Sequence, residues 1–76
     1  MNKGRREVIE AAIAKLEEAK SELEGAKDEE QEYYDNMPES LQGGEKGDAA
    51  QENIGHLEDA INSLDTAIDE ATNSIG

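Results

Sequence analysis

Residues 54–76 fall into sevens as IGHLEDA, INSLDTA, IDEATNS and IG. Position one reads Ile54, Ile61, Ile68 and Ile75, and position four reads Leu57, Leu64 and Ala71. Alternating steps of three and four residues put these side chains on one stripe of a helix. A seven-residue period sustained in this way is the mark of helices that pack side by side as a coiled coil. Ala60 and Ala67 flank the stripe and widen it.

The same period runs through the first half of the chain from Ile9, as IEAAIAK, LEEAKSE, LEGAKDE and EQEYYDN. Position one reads Ile9, Leu16, Leu23, Glu30 and then Met37; position four reads Ala12, Ala19, Ala26 and Tyr33. On this reading an alanine-lined first helix faces an Ile/Leu-lined second one. Val8 and Ile13 widen the first stripe, and Glu30 stands where the period asks for an apolar residue. Stripes broader than two columns predict that each helix touches more than one neighbour, as in a four-helix bundle made of two hairpins.

Between the halves lies Asn36-Met37-Pro38-Glu39-Ser40-Leu41-Gln42-Gly43-Gly44-Glu45-Lys46-Gly47. Pro38 disfavours helical geometry at Met37 and is suited to a first helical turn. Gly43 and Gly44 break any short turn that follows. Asp48 with Gln51 three residues on fits an N-cap and its capping-box partner. The expected architecture is therefore all-α, one helical-hairpin domain over residues 1–76. Its helices span about 5–36 and about 48–74, with a turn at 37–47. Helices of this length run ~40–48 Å, and a medium connector favours an antiparallel pair.

Twenty acids against seven Lys and Arg give a formal charge of −13. Direct nucleic-acid binding is not expected, because phosphate backbones require Lys and Arg, and anionic membranes are disfavoured for the same reason. No stretch approaches a membrane span and no secretory signal is visible, so a cytoplasmic setting is the default. Cysteine is absent, which removes disulfides and thiolate metal sites. From Asp48 to Gly76 there is no Lys or Arg, whereas Lys3, Arg5 and Arg6 gather at the free end of the first helix. In an antiparallel hairpin Arg5 and Arg6 come near Asp69 and Glu70. The acids read as a solvated coiled-coil face, or as a surface that binds a basic partner or imitates nucleic-acid phosphates.

No residue set supports catalysis. His56 is the single histidine and has no companion nucleophile. Gly43-Gly44 lacks phosphate-loop spacing. Glu52, His56 and Asp59 share a helical face, which is better read as an exposed polar stripe than as a metal site. No cofactor, metal or catalytic residue is expected. Tyr33, Tyr34, Met37 and Leu41, with Glu39 beside them, either plug the loop end over Ala50 and Ile54 or form an anchor for a partner.

The segment Glu29–Gly47, centred on Asn36-Met37-Pro38-Glu39-Ser40-Leu41-Gln42, resembles the turn of a group of small acidic proteins of phages and bacteria. These have two heptad helices around such a turn, followed by a basic-Gly step, here Lys46-Gly47, and a second acidic helix. The likeness covers about residues 16–76 and implies the hairpin architecture and a phage setting, not a mechanism. A phage accessory or anti-defence inhibitor acting in a bacterial host is the role that setting implies.

The leading expectation is a non-catalytic acidic interaction protein, self-associating, that binds a protein with a basic surface through Tyr33, Tyr34, Met37, Glu39 and Leu41. Two alternatives stay open. One is an oligomeric binder of a nucleotide signal, with Lys46 and helix N-termini meeting phosphates; the other is a purely structural assembly module.

Overall fold

The computed structural model describes residues 1–76 as three helices: α1 (Lys3–Asp35), α2 (Glu39–Gln42) and α3 (Glu45–Ile75). α1 and α3 pack along their length into a rod of 59 × 14 × 13 Å, and the short α2 closes one end.

Local chemistry sets each boundary. The Asn2 side chain accepts a hydrogen bond from the Arg5 backbone N–H at 2.8 Å and so caps α1. α1 ends at Asp35, ahead of the Met37-Pro38 step, where proline disfavours helix in the residue before it. α2 is a single turn held by Leu41 N–H to the Pro38 carbonyl at 2.8 Å, and Gly43 and Gly44 follow it.

α3 starts earlier than its sequence suggests. Gly44 occupies the cap position in extended geometry, and the Asp48 N–H already donates to the Gly44 carbonyl at 2.9 Å. Asp48 is therefore a first-turn residue and not the cap. It still lies, with Glu45, where the positive helix end favours acids. The reason for the early start is Gly47, which is buried. A Cβ there would overlap the Gln42 backbone, so glycine alone allows α2 to sit on the first turn of α3.

The α3 stripe lies as its period predicts. Ile54, Leu57, Ile61, Leu64, Ile68, Ala71 and Ile75 are buried or half-buried, and Gly47 and Ala50 continue the stripe to the turn. Ala50 and Ile61 are the buried apolar side chains.

The α1 stripe differs from the expected one. Ala12 and Ala26 are exposed, and the covered residues are Ile9, Ile13, Leu16, Ala19, Lys20, Leu23, Lys27, Glu30 and Tyr34, with Met37 just beyond the helix. The seam thus uses positions one and five of the seven, and Ala19 is the one position-four residue it partly covers. Two lysines stand in it because their four-carbon stems cover apolar surface while the ammonium heads reach outward. Lys20 Nζ meets Asp65 Oδ1 at 2.5 Å, and Lys27 Nζ meets Glu58 Oε1 at 3.3 Å. One further heptad along, Gln51 Nε2 donates to the Tyr34 hydroxyl at 2.9 Å. Each step of seven up α1 is matched by a step of seven back along α3, which fixes an antiparallel register. At the open end, Arg6 Nη1 donates to the Ile75 carbonyl at 2.6 Å, satisfying the C-terminus of α3 rather than Asp69 or Glu70.

Candidate interaction surface at the turn

The turn end of the rod is built from the last turn of α1, α2 and the first turn of α3. Met37 N–H donates to the Tyr34 carbonyl at 3.1 Å, and Gln42 Nε2 donates to the same carbonyl at 3.1 Å. Two donors on one carbonyl tie α2 back onto α1. The clamp leaves an open cleft of about 370 Å³ lined by Tyr33, Asn36, Met37, Pro38, Leu41 and Lys46.

The five singled-out residues divide here. Tyr33, Met37 and Leu41 line the cleft together, with Tyr33 50% and Leu41 51% exposed. Tyr34 turns the other way, into the seam, where its hydroxyl meets Gln51. Glu39 is exposed at the start of α2 and is not part of the cleft wall. One tyrosine is thus packed into the seam and its neighbour is left open at the cleft. A step of one residue turns a helical side chain by about 100°, so adjacent tyrosines cannot share a face.

Asn36, Pro38 and Lys46 complete the lining; of these the sequence pointed to Lys46 alone, as a phosphate contact in the nucleotide reading. Lys46 carried a usable signal: it is the lone base after Lys27. The last turns of α1, α2 and the first turn of α3 carry Glu29, Glu32, Asp35, Glu39, Glu45 and Asp48, while the cleft lining itself holds one ammonium and no acid.

Elsewhere, His56 Nε2 lies 3.7 Å from Glu52 Oε1 with both side chains about three-quarters exposed. No group of three His, Cys, Asp or Glu is arranged to hold a metal ion. No helix is long and apolar enough to cross a membrane. The Lys20 ammonium is held above its ordinary titration, first by the hydrogen bond to Asp65. Desolvation lowers it in part, and the charges of Asp65, Glu24 and Asp69 raise it further. Compared with known proteins, the chain finds no match among family models, curated proteins or solved structures.

Proposed function

We propose that this chain is a non-catalytic acidic interaction protein that works as a self-associated four-helix bundle and binds a protein with a basic surface. The observation that carries the reading is the cleft: Tyr33, Met37 and Leu41 stand half-open together at one end of a rod of charge −13. Aromatic and thioether side chains are effective anchors, and acids around them steer a basic partner and select against acidic ones. The resemblance of the Asn36–Gln42 turn supports a phage accessory or anti-defence inhibitor as the biological form of this activity.

The test is capture from bacterial lysate on the immobilised full chain, run beside a Tyr33→Ala/Leu41→Ala variant. The expected result is a basic protein retained by the wild type, released as salt is raised, and lost on the variant. Retention that ignores both substitutions overturns the reading.

One observation favours a second reading. Lys46 lines the cleft without an ion-pair partner, so an anionic small ligand such as a nucleotide signal has an ammonium to meet. Calorimetric titration with nucleotides, with Lys46→Met as control, separates this from protein binding.

A further inference from the structure

The hairpin has two unlike sides. On one, position five of both helices is stitched by Lys20–Asp65, Lys27–Glu58 and Tyr34–Gln51. On the other lie position four of α1 and position seven of α3. The first column reads Arg5, Ala12, Ala19, Ala26, Tyr33, and the second reads Lys46, Asn53, Ala60, Ala67, Ser74. In a chain with twenty acids, neither column contains one. This side is the single lengthwise strip of the rod where like-charge repulsion does not oppose close packing.

The rod also exposes more surface than its mass warrants. Its accessible area is 5444 Å² at 8.3 kDa. A compact monomer of that mass exposes about 4,600 Å². The excess is close to the ~800 Å² that each partner loses in a standard interface. Flat small residues over a half-covered Ile/Leu seam offer a place to remove it.

We propose that the occupant of this side is a second copy of the chain, packed face to face and antiparallel about a two-fold axis through the level of Ala19. This rests on the self-association read above and adds its face, direction and register. The α1 column is self-complementary when reversed about Ala19: Ala19 meets the partner's Ala19, Ala12 meets the partner's Ala26, and Arg5 comes level with the partner's Tyr33. On α3 the same axis sets Ala67 opposite the partner's Ala67 and Ala60 opposite the partner's Ser74.

Small residues at these layers let backbones approach closely. The two cations left without an ion pair on α1's open side gain partners. Arg5 takes the face of the partner's Tyr33 turned away from the cleft, a cation–π geometry that leaves the cleft side of the ring open. Lys15, on the outer rim, falls within one residue of the level of the partner's Glu22. The turns then lie at opposite ends of the bundle, with one cleft at each.

Single-cysteine variants test this cleanly because the chain has no cysteine of its own. Each full-length variant is oxidised mildly at micromolar concentration and run without reductant, after sedimentation has established its mass. Ala19→Cys is expected to cross-link as a dimer. Ala12→Cys and Ala26→Cys should cross-link when mixed and not alone, and Ser21→Cys, on the stitched side, should stay monomeric on the gel. Self-cross-linking of Ala12→Cys and Ala26→Cys would show a parallel pairing and overturn the proposed axis. A sedimenting dimer in which Ala19→Cys does not cross-link overturns the face and leaves self-association standing. A monomer overturns both, while lysate capture by the cleft is unaffected. Charge exchange gives a second readout: Lys15→Glu and Glu22→Lys should each weaken the dimer several-fold, and the double variant should restore it.

Discussion

Lys20 Nζ and Asp65 Oδ1 lie 2.5 Å apart across a seam where a coiled coil ordinarily places an apolar side chain. Both side chains keep partial contact with water, at 30% and 48% exposure. An exposed pair of this kind contributes little net stability. Its consequence is for specificity, because a charged residue at such a position admits one register and orientation. Replacing Lys20 and Lys27 together by leucine should raise the melting temperature, by about 1 kcal/mol per site in stability. It should also yield mixed species in sedimentation. A variant that is both stabler and homogeneous would show that the pairs do not select the arrangement.

The same pair predicts a pH response. The Lys20 ammonium titrates above its ordinary 10.5, chiefly because Asp65 accepts its hydrogen bond. A base whose value is raised on folding stabilises the fold below the unfolded value and loses that contribution as pH rises through the folded one. The stability of wild type relative to Lys20→Met should therefore be flat through neutral pH and fall above about 10.5, whichever is the stabler at neutrality. Denaturant melts across the alkaline range check it, and a relative stability that already falls near neutrality contradicts the assignment.

Three glycines in helices should respond oppositely to alanine. At Gly25 and Gly55 an added Cβ meets nothing within 4 Å. Each change should stabilise by about 1 kcal/mol through helix propensity. At Gly47 the same methyl overlaps the Gln42 backbone. There the expected loss is about 2–3 kcal/mol, the upper part of the range for overpacking a tight site, with α2 released from α3. Denaturant unfolding of the three variants in parallel decides it.

The two tyrosines should separate folding from binding. Tyr34→Ala opens the seam and removes the Gln51 contact, at a cost of about 2 kcal/mol. Tyr33→Ala should stay within about 1 kcal/mol of wild type, as for an exposed residue, while weakening whatever the cleft holds. If Tyr33→Ala unfolds the chain, the cleft wall is structural.

Glu30 stands half-buried in the α1 stripe and makes no side-chain hydrogen bond or ion pair. Glu30→Leu should stabilise by about 1 kcal/mol by completing the apolar column. A thermal melt that falls instead would mean the carboxylate is held by a partner outside the hairpin.

The α3 register, from Ile54 to Ile75, was legible because its apolar residues occupy both seam columns. The α1 register was legible in one column only. Ile9, Leu16 and Leu23 announced themselves, but the second column holds Ile13, Lys20, Lys27 and Tyr34. A rule that looks for apolar residues prefers Ala12, Ala19 and Ala26, one residue away. It misses that a lysine stem covers more surface than an alanine methyl and that acids on α3 await the heads. Likewise Asp48 resembles a cap in isolation. What overrules it is a long-range fact, the approach of Gln42 to Gly47, which no local pattern contains. At the turn, Tyr33, Met37 and Leu41 could be grouped from their closeness in sequence, whereas the opposite facing of Tyr34 depended on the α1 register and was lost with it.

The cross-seam bonds recur once per heptad at matched places on both helices, and that makes length a quantised and separable property of this protein. Inserting seven residues in α1 and seven at the matching level of α3 would lengthen the shaft by about 10 Å, a whole number of repeats. The Asn2 cap at one end and the clamp on the Tyr34 carbonyl at the other would keep their relative orientation. The shaft is thus a ruler with a fixed graduation, and the chemistry at its two ends can be spaced without being redesigned.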